Sequence, residues 1–107
     1  MGMDLEPINP TAEAPRYPKD DPYSPNQIIW GRYNWNGWYY QIDLLEKWGI
    51  NTSEFAGTND GYEICETTCL AVANAIEKHL PELSKQDQEW LQPKIIFWRT
   101  CGGYRQW

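Results

Sequence analysis

The sequence predicts a mainly helical fold with a minor β component: about three helices, a short two-stranded ribbon and an extended proline-rich N-terminal arm. Three observations predict it. From Cys65 to Leu80, apolar residues recur at steps of three and four: Cys65, Cys69, Val72, Ala73, Ile76 and Leu80. Six of the eight prolines (Pro7, Pro10, Pro15, Pro18, Pro22 and Pro25) lie in the first 27 residues, a density hostile to helix and to central strand. Two short stretches, Tyr62-Glu63-Ile64 and Tyr104-Arg105-Gln106-Trp107, read as strands that pair with each other.

In chain order, residues 1–27 form the arm, and residues 28–107 a single helical domain. The arm has Met3, Leu5, Ile8, Tyr17 and Tyr23 with which to grip the domain. Ile28-Ile29-Trp30 and Tyr33 open the packed part. Asn34-Trp35-Asn36-Gly37 reads as a helix entry, with Trp38, Ile42 and Leu45 on the dry side of the helix and Gly49 at its end. Residues 50–61 are a polar loop anchored by Phe55. The Asn59-Asp60-Gly61 turn leads into the central helix, which Pro81 stops. Ser84 followed by Asp87 three residues later marks another helix start, Pro93 breaks that helix, and Gly102-Gly103 caps its end.

One hundred and seven residues allow one modest core. Seven tryptophans and seven tyrosines are more rings than one helical stripe hides, since each buries roughly 150–250 Å². The net charge of -6 argues against direct nucleic-acid binding, which needs a basic face. No apolar run reaches the ~18 residues of a membrane span, and no basic-then-apolar leader opens the chain, so a cytoplasmic protein is expected. Met1-Gly2 invites an acylation signal, but Glu6 stands where Ser or Thr is needed.

Catalytic and metal chemistry finds little footing. The three cysteines read as free thiols. A metal site from Cys65, Cys69, Cys101 and His79 is set aside, because His79 lies ten residues, nearly three helical turns, beyond Cys69. His79 at a helix end suits the helix dipole better than base catalysis, and Cys101 before two glycines suits a cap better than a nucleophile beside an oxyanion hole. Asp20 with Asp21, Glu63 with Glu66, and Asp60 lack acid/base spacing. No cofactor and no metal are expected.

Aromatic–arginine clustering is the positive signal. Trp30, Arg32, Tyr33, Trp35 and Trp38 form one group, and Trp98, Arg99, Tyr104, Arg105 and Trp107 the other. Trp, Tyr and Arg dominate binding hot spots, and they also stack on nucleobases and hold phosphates. These ten are the expected binding residues. The leading expectation is a non-catalytic binder of a host protein. A nucleotide-sequestering protein is the alternative, and an enzyme using Cys101 or His79 the weaker one.

The motifs also resemble a family of small uncharacterised phage and bacterial proteins. These open Met-Gly-Met-Asp and continue Asn-Pro-Thr-x-Glu, here Met1 to Asp4, then Asn9, Pro10, Thr11 and Glu13, with Tyr17 after. Asn34, Trp35 and Trp38, the turn Asn59-Asp60-Gly61, and the ending Cys101-Gly102-Gly103-Tyr104 match its later motifs. Departures are Pro7 and Pro15 in place of glycines, an insertion over 18–29 and shifted tryptophan spacing. The resemblance implies a phage or mobile-element accessory protein acting in the bacterial cytoplasm; taken with the small size, acidic charge, surplus rings and lack of a catalytic constellation, the expected role is to block a host factor, as an anti-defence or anti-CRISPR-like protein.

Overall fold

The structure, a computed structural model, describes residues 2–56 and 60–107. Its organising element is a strand at the start of the chain. Met3 and Leu5 alternate with Asp4 and Glu6, the two-residue period of a half-buried strand, and β1 (Gly2–Pro7) buries Met3 and Leu5 completely. It pairs antiparallel with β2 (Gly31–Asn34) on one side and with β4 (Tyr104–Gln106) on the other. β4 in turn pairs antiparallel with β3 (Tyr62–Ile64), giving a four-stranded sheet of order β2-β1-β4-β3.

The expected mainly helical fold is therefore corrected to α+β. The expected pairing of β3 with β4 forms, with Ile64 opposite Tyr104. The ribbon is half of a larger sheet, whose other half is β1, from the segment expected to be an arm, and β2, from the start of the part expected to be helical. Proline density misled because Pro7 sits at the strand's last position. There its missing N–H costs little, since the β2 pairing has already ended at Leu5.

The sheet has one dry and one wet face. Met3, Leu5, Tyr33, Ile64, Tyr104 and Gln106 point inward and are buried. On the wet face opposite charges stand across strands: Arg32 to Asp4 at 3.3 Å, and Arg105 between Glu6 (3.9 Å) and Glu63 (3.6 Å). Such exposed pairs contribute about 1 kcal/mol or less each.

The helices cover the dry face. α1 (Trp35–Lys47) begins where sequence places it: Asn34 caps it by accepting from the Gly37 amide at 2.6 Å, and Gly49 follows its end at φ +84°. It buries Trp38, Gln41, Leu44 and Leu45. Phe55 anchors the following loop in the core, and Asn59 lies outside the described residues. α2 (Glu66–His79) buries Cys69, Val72, Ala73 and Ile76 as the stripe predicts. Cys65 departs from the stripe: it precedes the first turn and is exposed. Ser84 caps α3 (Lys85–Leu91) through the Asp87 amide, and Pro93 separates α3 from α4 (Ile95–Thr100).

Between β1 and β2 the chain is tied down in two places. Residues 8–11 run along the end of α4, with Ile8 N–H donating to Gly103 and Thr11 N–H to Thr100, both at 2.9 Å. Residues 15–17 then pair with 27–29 through Tyr17 N–H to Gln27 (2.9 Å) and Ile29 N–H to Pro15 (3.0 Å). Gly102 is needed here twice over. It holds φ +65°, and a Cβ would run into the Asn9 carbonyl.

Candidate functional site: an apolar cleft with a cationic rim

The structure divides the ten expected binding residues between core and surface. Tyr33, Trp38, Trp98 and Tyr104 are buried. Trp38 stacks on Trp98 at 6.2 Å, Tyr104 meets Trp98 edge-on at 5.5 Å, and Tyr33 meets Trp38 edge-on at 5.1 Å. Edge-on and offset contacts suit the ring quadrupole. A polar chain runs through this cluster: Trp98 Nε1–H donates to the Tyr33 hydroxyl at 2.9 Å, which donates to Gln41 Oε1 at 2.5 Å. It joins α4, β2 and α1. Burial pushes the Tyr33 and Tyr104 phenols well above their ordinary range.

The other six are at or near the surface, in four separate places. Arg99 holds Asn74 and Glu77, each at 3.1 Å, on the outside of α2 and α4. Arg105 and Trp107 lie on the wet face of the sheet, where the Trp107 indole N–H donates to Glu6 at 3.1 Å and its ring packs on Gly61. Trp35 is half-buried and stacks on Tyr39 at 5.9 Å. The two sequence clusters thus contribute their inward rings to one core, while Arg32 and Arg105 go to the wet face of the sheet and Arg99 to the outside of α2 and α4.

Trp30 and Arg32 remain, and they border a cleft of about 270 Å³ between the start of β2 and the Pro93–Phe97 segment. Strand alternation carries Tyr33 inward and leaves Arg32 outside. Gly31 lets the chain lie against Phe97, whose ring would stand 3.0 Å from an added Cβ. Pro93 re-aims the helix so that Lys94, Ile96 and Phe97 form the opposite wall. Trp30 and Ile96, 41% and 45% exposed, flank the opening. Lys94 holds its ammonium 4.9 Å from the Tyr33 ring centre and 4.8 Å from that of Trp90, and its desolvation there lowers its pKa. Among the described residues lining the cleft none is acidic, in a chain with fifteen acids. Adjoining hollows share Trp30 and Arg32 on one side and Ile96 on the other.

Sequence reasoning passed over Lys94, Ile96, Phe97 and Ile29. The signal was Pro93 within an apolar helix pattern, read as a break and not as a turn that presents a new face.

The thiols and the histidine are arranged separately. Cys69 and Cys101 are buried beside each other, and this pairing, with burial, pushes Cys69 up. Cys65 is open to solvent at the start of α2. The Thr68 hydroxyl, 3.4 Å from its sulfur, and nearby backbone amides lower its pKa. Thr68 also donates to Glu54 at 2.8 Å. His79 lies flat on Trp48 at 4.7 Å and bonds Glu82 at 2.9 Å, while Cys101 faces Trp98 and Cys69. The two residues weighed for catalysis thus have different partners. Among the described residues, no group of three or more His, Cys, Asp or Glu is placed to hold a metal ion, and no helix is long and apolar enough to cross a membrane.

Fold and site together define an α+β domain with an open antiparallel sheet and an apolar cleft rimmed by cations. No protein-family model, curated protein or solved structure matches the chain.

Proposed function

We propose that this chain is a small non-catalytic binding protein that docks on a host protein and inhibits it, as an anti-defence or anti-CRISPR-like accessory protein of phage type in the bacterial cytoplasm. The Trp30 cleft carries this reading. It leaves a tryptophan, a leucine-sized aliphatic and two cations at the surface of a chain whose core already holds a full aromatic cluster. Large rigid rings with nearby cations are what protein interfaces use as anchors. The phage-like motifs at both ends of the chain support the setting.

The test is affinity capture from bacterial lysate with the wild-type chain and with Trp30→Ala. The expected result is a host protein retained by the first and lost by the second. Recovery of nothing above background with the wild type would remove the reading.

The second reading, nucleotide sequestration, draws on the cleft's concavity beside Arg32. Against it, about 270 Å³ falls below the roughly 300–1,000 Å³ of small-molecule sites, and Arg32 already shares its charge with Asp4. A thermal shift with any nucleotide at millimolar concentration, abolished by Trp30→Ala, would restore it.

A further inference from the structure

We infer that the cleft takes an acidic peptide segment of the partner, with a bulky apolar side chain entering between Trp30 and Phe97 and a neighbouring carboxylate meeting Lys94. The inference rests on the binding reading above and names the chemistry of what is bound. Size and charge carry it. The volume admits one large side chain and little more. Floor and walls are apolar: Ile29, Phe97 and Ile96. An aliphatic or aromatic anchor would pass from water into this apolar space and displace the water in it, which is the main source of hot-spot affinity.

The charge at the rim runs against the rest of the molecule. Arg32 is paired with Asp4, but Lys94 has no carboxylate partner among the described residues; its ammonium is half-desolvated over two rings. A cation held in that state gains more from an arriving carboxylate than a fully hydrated surface lysine does. An acidic partner is also the one that an acidic chain repels everywhere else, so the cleft selects where such a segment sits. The hollow beyond Ile96 carries Glu13 and Glu77. The segment's acidic end is thereby directed toward Trp30 and Lys94 and away from Arg99.

A displayed library of random twelve-residue peptides is selected on the immobilised full chain, and an enriched peptide is synthesised and titrated by calorimetry. The expected peptides pair a Leu, Phe, Trp or Met with Asp or Glu one to three residues away. Binding is expected to weaken at least tenfold in Trp30→Ala and in Lys94→Gln, to weaken with added salt, and to remain within twofold in Glu77→Gln. Ile96→Ala, at an exposed position, repeats the test should Trp30→Ala unfold. No enrichment, enrichment of basic or purely apolar peptides, or equal binding to the Lys94→Gln chain would each overturn the inference. So would dimerisation of the chain through this cleft, seen as a concentration-dependent mass that Trp30→Ala abolishes. A host protein lost by Trp30→Ala but captured equally well by wild type and Lys94→Gln leaves the binding reading in place and removes this one. Capture of no protein removes both.

Discussion

Tyr33→Phe removes one hydroxyl and is expected to be among the costliest single-atom changes in the molecule. That oxygen accepts from the Trp98 indole N–H at 2.9 Å and donates to Gln41 Oε1 at 2.5 Å, and all three residues are buried. Without it, an indole donor and an amide acceptor are stranded in the core. A buried polar group left unpaired costs about 1–3 kcal/mol, so two cost about 2–6 kcal/mol. Out of a total stability of roughly 5–15 kcal/mol this is a large share. For a chain of this length it lowers the melting temperature by about 10–25 °C. Urea unfolding followed by tryptophan fluorescence reads the difference. Adding Gln41→Met removes one stranded group, so the double variant should lose less than the sum of the two singles. A loss below about 0.5 kcal/mol for Tyr33→Phe would refute the claim that this chain of bonds joins α4, β2 and α1.

Deleting residues 2–7 is expected to abolish cooperative urea unfolding, because β1 lies between β2 and β4 and buries Met3 and Leu5; a retained sigmoidal transition would show the segment to be dispensable. Alkali should destabilise the fold steeply above pH 10. The buried Tyr33 and Tyr104 keep protons that the unfolded chain releases from the ordinary value of 10.0 upward, so stability falls with rising pH, by about 1.4 kcal/mol per unit for each tyrosine. Lys94, held below its ordinary 10.5, acts with the opposite sign and offsets part of this; Tyr33→Phe should flatten the slope, and flat wild-type stability from pH 10 to 11 would contradict the account. An aromatic disulfide reagent, which the protein thiolate attacks with release of the aromatic thiolate, should label one thiol rapidly in the native chain and all three in urea, with the fast phase absent in Cys65→Ser; rapid native labelling of Cys69 or Cys101 would contradict their burial.

Much of the local structure was legible. The stripe of α2, the Asn34 and Ser84 caps, the Pro93 break, the Phe55 anchor and the β3–β4 pairing each follow from residues close in sequence. The sheet's other half was not. Met3 and Leu5 alternate correctly, but their partners are Tyr33 and Gln106, some thirty and one hundred positions away. The prolines around them signal loop, and only long-range pairing shows that Pro7 ends a strand that lies inside the sheet. At the site, aromatic clustering located Trp30 and Arg32. It could not separate them from Tyr33, Trp38, Trp98 and Tyr104, because strand alternation and helix facing decide which rings turn inward. Lys94 and Ile96 were hidden behind a helix pattern whose apolar residues read as core.

Amide hydrogen exchange, with and without a captured partner, tests the central claim most directly. The account predicts that the partner slows exchange at residues 29–33 and 94–97, and leaves the outer surface of α2 and residues 104–107 unchanged. Protection confined to those latter regions, with none beside Trp30 and Phe97, would contradict it.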